Sequence, residues 1–170
     1  MNHFELFDLP AAFEIDAADL QQRYRKLQQQ LHPDRFARGS ERDKLLAVQH
    51  SAQLNDAYQT LKTPLYRAEY ILQLRGIDLQ HEQQTIRDPD FLMAQMEWRE
   101  RIEELKQAAD NFAAIDSAYR DLEAQTRELQ HELERHIAAD ENEAAAIAVR
   151  KLKFMHKLRS EIERVEDSAD

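Results

Sequence analysis

Apolar residues recur at three- and four-residue steps along most of the 170-residue chain, a spacing that predicts helices rather than strands. The first clear stripe predicts a helix from about Ala17 to Leu31, with Asp16 as its N-cap. A second stripe predicts a helix from about Glu41 to Lys62. The apolar positions that carry the two stripes are Leu20, Tyr24, Leu27 and Leu31 in the first, and Leu54, Ala57, Tyr58 and Leu61 in the second.

Prolines and glycines mark where these helices stop. Residues 32–40 are predicted to be a loop, because Pro33 cannot continue a helix and biases His32 away from helical backbone angles. Thr63 and Pro64 predict a break and a new helix that ends near Arg75, with Gly76 at its C-terminal cap. A short apolar opening segment, with Phe4, Leu6, Phe7 and Leu9, precedes all of these elements.

The second half of the chain predicts three long amphipathic helices with short connections. The first runs from Pro89 to about Ala109, after a connector over residues 76–88 that shows no clean period. The next helix carries Phe112, Ile115, Tyr119, Leu122, Leu129, Leu133 and Ile137. The last helix carries Ile147, Phe154, Met155, Leu158, Ile162 and Val165. This pattern favours an up-down-up bundle over residues 89–170.

Composition agrees with an all-α protein, because the chain has only two Gly and four Pro and is dominated by helix-forming residues. Cysteine is absent, so no disulfide or thiolate chemistry is expected. The opening MNHFELFDLP lacks the features of a secretory signal, and no run approaches the roughly 18 apolar residues of a membrane span. We therefore expect a cytoplasmic protein with no membrane partner.

Charge is divided unevenly between the two halves. Residues 1–75 hold ten basic and ten acidic side chains, so the whole net charge of −10 falls on residues 76–170. Five basic residues lie between Leu20 and Arg38 against one acid, Asp34. This basic patch is small and belongs to an acidic protein, so it favours an acidic protein partner over nucleic acid.

The tripeptide His32-Pro33-Asp34 lies between the two stripes of the first half. Alone, it reads as a helix-ending proline between two solvated polar residues. Here it follows a helix with a basic exposed face and precedes a helix containing Leu54-Asn55-Asp56-Ala57-Tyr58, while the opening apolar segment is available to pack under the hairpin. With that context, residues 1–75 resemble a J domain, the module by which co-chaperones activate a DnaK-type ATPase.

The J-domain resemblance implies that His32, Pro33 and Asp34 contact the ATPase. The Asp34 carboxylate is suited to accept two hydrogen bonds from an arginine, and Pro33 lowers the ordering cost of docking. Arg23, Arg25 and Lys26 are expected to steer the preceding helix onto an acidic surface. These groups bias a conformational equilibrium in another enzyme, so this chain is not expected to be an enzyme itself.

The predicted helix after Pro89 has two apolar faces. Phe91, Trp98, Ile102, Leu105 and Ala109 share the face that suits the bundle core. The opposite side carries Leu92, Met93, Met96, Glu97, Glu100 and Glu104. The apolar members of this second face either pack on the N-terminal domain, or are scattered surface residues, or form a partner site bordered by acids. Phe154 lies at the edge of the last helix's stripe and is expected to extend such a site.

Motifs in both halves narrow the resemblance to the HscB family. They are Asn55-x-Ala57-Tyr58-x-x-Leu61, Pro64-x-x-Arg67-Ala68-Glu69-Tyr70, Arg87-Asp88, Phe91-Leu92-Met93 and Arg150-Lys151-Leu152. The resemblance covers nearly the whole chain. It implies an L-shaped co-chaperone of iron–sulfur cluster biogenesis, with an N-terminal J domain and a C-terminal three-helix bundle.

The family resemblance also implies two partners, and no cofactor is expected. One is an HscA-like, DnaK-type ATPase, and the other is an IscU-type scaffold protein that is delivered to it. The scaffold-binding residues then fall at Leu92, Met93, Met96, Glu97, Glu100, Glu104 and Phe154. Met96 stands where leucine is common, which conserves volume, whereas Arg101 replaces an acid and predicts a less acidic site.

Other classes of function find little support. The seven histidines do not form a metal-ligand constellation with carboxylates on one helical face, and neither glycine lies in a phosphate-binding motif. The alternatives that remain are a general J protein or a helical adaptor with a different client. An adaptor explains the last hundred residues but not the His-Pro-Asp hairpin.

Overall fold

The computed structural model describes residues 1–79 and 88–169, and within them the regular elements are helices, without strands. The chain forms two compact units, Met1–Gly76 and Ile77–Asp170. The connector predicted over residues 76–88 lies largely outside the described residues. Among the helices that are described, none is both long and apolar enough to cross a membrane.

The first unit contains four α-helices and one short 3-10 helix. In chain order these are α1 (His3–Leu6), α2 (Ala17–Leu31), the 3-10 helix (Pro33–Phe36), α3 (Glu41–Lys62) and α4 (Pro64–Leu74). The bounds predicted for α2 and α3 are confirmed, and Asp16 caps α2 by accepting hydrogen bonds from the backbone N–H groups of Ala18 and Asp19. Gly76, at φ +84°, takes the left-handed conformation that follows the end of α4.

Packing in the first unit is centred on α3, which contacts α1, α2, α4 and the 3-10 helix. Phe4 and Phe7 of the opening segment are buried, so that segment does supply a third apolar element to the hairpin. Residues 32–40 are not entirely a loop, because Pro33 at the first helical position starts the 3-10 turn.

The described residues of the second unit form three helices, α5 (Pro89–Gln107), α6 (Phe112–Ala138) and α7 (Asn142–Ser168). One apolar cluster joins all three: Phe91, Trp98, Ile102 and Leu105 of α5, Ile115, Ala118 and Leu122 of α6, and Met155, Leu158, Ile162 and Val165 of α7. The three-helix composition predicted for this region is confirmed.

Two residues of the predicted stripes do not lie in the core of the second unit. Phe112 is 60% exposed at the first position of α6, and Ile147 is 39% exposed near the start of α7. The apolar cluster shared with α5 includes α7 only from Met155 onward. Before that point the buried residues of α7 are Ala145, Ala146, Ala148, Val149 and Leu152. The buried face of α7 therefore changes along the helix, which a single periodic stripe does not anticipate.

Candidate functional site

The His32–Asp34 turn is built by its own backbone. His32 is extended at the end of α2, and its carbonyl accepts a hydrogen bond from the N–H of Arg35 at 3.0 Å. The Nδ1 atom of His32 accepts a hydrogen bond from the N–H of Asp34 at 3.1 Å, which caps the 3-10 helix. The ring is thus oriented by the turn itself.

Asp34 is presented to solvent by this turn. Its side chain is 91% exposed and that of His32 is 54% exposed, with Nδ1 of the imidazole 3.5 Å from Oδ2 of the carboxylate. An exposed carboxylate beside an oriented imidazole is available to a partner that supplies hydrogen-bond donors. Since the Asp34 carboxylate is not buried, its substitution is expected to alter binding more than folding.

The predicted basic face of α2 separates into two parts. Arg25 and Lys26 are exposed. Arg23 instead donates hydrogen bonds to Oδ2 of Asp19 at 3.0 Å, to the carbonyl oxygen of Phe7 at 2.9 Å and to that of Asp8 at 3.2 Å. The guanidinium of Arg23 thus ties the end of α1 to α2, and the part of Arg23 in partner binding stays a prediction.

The outer face of α5 comprises Leu92, Met93, Met96, Glu97, Glu100 and Glu104, all of which are exposed. The exposed fractions of Leu92, Met93 and Met96 are 44%, 61% and 71%. The opposite side of the same helix supplies four members of the bundle core. The structure thus brings the three apolar residues together with the three acids on a face that the core does not use.

Phe154 and Arg101 lie beside this outer face rather than on it. Phe154 is half-buried, with its ring edge-on to Phe91 at a centroid distance of 5.6 Å. Arg101 donates a hydrogen bond from Nη1 to Oδ2 of Asp121 at 2.9 Å and lies over the ring of Trp98. The Arg101 guanidinium is therefore paired with a carboxylate of α6, and the expectation that Arg101 makes the outer face less acidic stays a prediction.

Asp88 and Lys151 belong to two separate sequence motifs, which do not predict that the two residues pair at the start of α5. Asp88 caps α5, with Oδ1 accepting from the N–H groups of Asp90 at 3.1 Å and Phe91 at 3.3 Å, while Oδ2 accepts from Nζ of Lys151 at 2.7 Å. The hydrogen bond from Lys151, supported by the backbone donors, lowers the pKa of Asp88 below its usual value. Pro89 marked the start of the helix, but nothing in the local sequence indicated that Asp88 bonds to Lys151, 63 positions later.

The described residues contain no group of three or more His, Cys, Asp or Glu side chains placed to hold a metal ion. One histidine, His81, lies outside the described residues. The grooves of the second unit are open and lined by side chains of both charges, such as Arg99, Glu103, Lys157 and Glu161 between α5 and α7. These grooves do not resemble enclosed sites for a small molecule.

Family models match both halves of the chain. One, described as a DnaJ domain, matches residues 2–70, and the other, described as an HSCB C-terminal oligomerisation domain, matches residues 87–163. Two proteins named co-chaperone protein HscB homolog are similar over nearly their full lengths. The protein from Aeromonas salmonicida is 54% identical over 168 residues, with 99% of this chain and 98% of that protein covered. The protein from Shewanella baltica is 50% identical over 171 residues, with the same coverage.

Solved structures agree with these matches. Chaperone HscB from Vibrio cholerae aligns with a TM-score of 0.87 at 50% identity, covering 99% of each chain. Human co-chaperone protein HscB aligns with a TM-score of 0.88 at 31% identity, covering 96% of this chain and 81% of that one. With the His-Pro-Asp turn at one site and an exposed apolar and acidic helix face at the other, these findings lead to one conclusion: the chain belongs to the HscB family of J-domain co-chaperones.

Proposed function

We propose that this co-chaperone stimulates a DnaK-type, HscA-like ATPase and delivers an IscU-type iron–sulfur scaffold protein to it. The single observation that carries the proposal is that one chain combines two exposed and chemically different sites. These are the polar His32–Asp34 turn in the first unit and the outer face of α5 in the second.

The turn suits the ATPase partner. Asp34 offers an exposed carboxylate to a cationic group, and Arg25 and Lys26 add a basic surface on the adjoining helix. Exposed charges of this kind accelerate encounter with an oppositely charged surface, and salt weakens them. Stimulation is then an effect on the conformational equilibrium of the partner, with no bond chemistry in this chain.

The outer face of α5 suits the scaffold partner. Methionine side chains adapt to varied apolar surfaces, and Met93 and Met96 are both exposed here. Glu97, Glu100 and Glu104 border them on the same face. A scaffold with an apolar contact surface and basic neighbours fits this combination.

Steady-state ATP turnover of the HscA-like enzyme tests the proposal. We expect the co-chaperone alone to raise turnover, and co-chaperone with IscU-type scaffold to raise it further than the two separate effects combined. A general J protein with another client would raise turnover without the additional response to scaffold. A helical adaptor would leave turnover unchanged in both assays.

A further inference from the structure

The apolar members of the outer face lie in the first two turns of α5, where a helix is least secured by its own hydrogen bonds. The first four N–H groups of a helix have no partner within it, so an unsupported end frays. Leu92, Met93 and Met96 all follow within seven residues of Pro89. In this stretch Phe91 is the only α5 residue in the bundle core, since the next core residue of the helix is Trp98.

Asp88 and Lys151 secure this end of α5 by joining it to α7. The two oxygens of the Asp88 carboxylate are divided between the helix cap and Nζ of Lys151, as the distances above show. Lys151 is well shielded, with its side chain 16% exposed, and its Nζ lies 5.3 Å from the centroid of the Phe91 ring. The Asp88 cap, the Asp88–Lys151 ion pair and the contact of Lys151 with the Phe91 ring therefore all stabilise the first turn of α5.

Lys151 is not placed there by favourable helix electrostatics. The N-terminus of a helix carries a partial positive charge, which repels a cation. The Asp88 carboxylate lies between the ammonium group and the helix end and makes the arrangement favourable. Asp88 therefore matters to both elements, whereas removal of Lys151 leaves the cap in place.

We propose that Asp88 and Lys151 are positioning residues for scaffold binding, which hold the first turns of α5 in the conformation that presents Leu92, Met93 and Met96. This inference rests on the function proposed above. A preordered face avoids part of the ordering cost that a partner otherwise meets on binding.

A purely electrostatic role and a positioning role of Lys151 predict opposite changes in scaffold affinity for Lys151→Met. The substitution removes one positive charge from the unit that carries the acidic outer face, so electrostatics alone predicts unchanged or tighter binding of a basic scaffold. Positioning predicts weaker binding, by about fivefold, because the partner must then order the helix end. Lys151→Arg keeps the charge and is expected to bind nearly as well as the wild type.

The Asp88 variant separates the ion pair from the cap. Asn is a good N-cap residue, so Asp88→Asn retains the cap acceptor but leaves the shielded ammonium group without its carboxylate. We expect Asp88→Asn to bind the scaffold more weakly than Lys151→Met does. The double variant is expected to bind no more weakly than Asp88→Asn alone, because the pair acts as a unit.

The experiment is titration calorimetry of the full chain with IscU-type scaffold, together with hydrogen exchange of the α5 amides. Lys157→Met is the matched control for charge, because Lys157 is an exposed lysine of α7. Val165→Ala is the control for stability, because it removes core volume at the other end of α7. Neither control is expected to change affinity by more than about twofold, whereas Lys151→Met is expected to weaken binding and to accelerate exchange in the first turns of α5.

Three results overturn the inference and are distinguishable. Wild-type affinity in Lys151→Met overturns the positioning role alone. An equal loss of affinity in Lys151→Met and Val165→Ala assigns the effect to general stability and also overturns it. No binding by the wild type overturns the proposed function itself, and with it the inference that rests on it.

Discussion

The two candidate sites are constructed in different ways. The His32–Asp34 turn consists of neighbouring residues whose geometry is set by backbone hydrogen bonds within the turn. The outer face of α5 consists of residues three and four positions apart, whose presentation depends on how the opposite face packs in the bundle. The first site can therefore lose its function without any change in packing. The outer face of α5 shares its helix with the core. Substitutions on one face of that helix are therefore expected to affect binding, and substitutions on the other face to affect stability.

The largest expected effect is at the turn. Asp34→Asn should abolish stimulation of the HscA-like ATPase, because it removes the charge of a 91% exposed carboxylate. The free energy of unfolding should change by no more than about 0.5 kcal/mol, as for other exposed positions. Steady-state ATP turnover and urea unfolding measure the two quantities. Scaffold affinity serves as the control and should be unchanged, and normal stimulation would contradict the assignment of the turn.

The next effect sharpens the contrast between the faces of α5. Changing Leu92, Met93 and Met96 together to Ala should lower scaffold affinity at least tenfold, or about 1.4 kcal/mol. These side chains are exposed, so the unfolding of the second unit should change little.

The matched control for the faces of α5 is Ile102→Ala. It lies on the buried face and should destabilise the unit by about 2–5 kcal/mol. Trp98 is the only tryptophan of the chain and is buried in the second unit. Its fluorescence therefore reports the unfolding of that unit in the triple-Ala variant and in Ile102→Ala. Unfolding of the triple-Ala variant under native conditions would show that the outer face is structural.

A smaller effect is expected from the basic residues of α2, of which Arg23 should affect stability and Arg25 and Lys26 should affect association with the ATPase. Arg23→Ala removes hydrogen bonds to Asp19 and to two backbone carbonyls, and should destabilise the first unit by about 1–3 kcal/mol. Charge reversal of Arg25 and Lys26 to Glu should instead slow association with the ATPase, and salt should no longer reduce the association rate, because it then screens a repulsion. Urea unfolding and stopped-flow association distinguish the two groups. Equal stability losses in both would contradict the separate roles.

The smallest effect concerns pH and the first unit. Burial lowers the pKa of His3, and attraction to Asp56 opposes this only in part. As the pH falls below about 6.5, His3 therefore takes up a proton in the unfolded state before it does so in the folded state. The free energy of unfolding decreases over this range, until the pH reaches the lower pKa that His3 has in the folded protein.

His3→Phe tests this pH effect because Phe can keep the stacking on Tyr70, which His3 makes at a centroid distance of 4.3 Å. Hydrogen exchange of α3 amides at pH 7.5 and 5.5 should show a smaller loss of protection in His3→Phe than in the wild type. An identical loss in both proteins would assign the pH effect to other groups.

Local signals predicted the elements, and tertiary contacts explain what they missed. Asp16, Pro64 and the His-Pro-Asp tripeptide mark helix ends through interactions within a few residues, so the bounds of α2 and α3 could be predicted. The role of Arg23 could not, because its carbonyl partners are 15 and 16 positions away. The pairing of Arg101 with Asp121 and that of Asp88 with Lys151 could not be predicted either, because the partners come together only in the folded bundle.

The central claim is that the two sites act together because one chain joins them. ATP turnover in a mixture of two full-length variants tests it most directly: Asp34→Asn, which keeps the outer face of α5, and the triple-Ala variant, which keeps the turn. Tethering raises the effective concentration of scaffold at the ATPase, and separate chains lack that link. We predict that the mixture stimulates turnover only as far as the triple-Ala variant alone does, with no further response to scaffold. A wild-type response to scaffold in the mixture would contradict the claim.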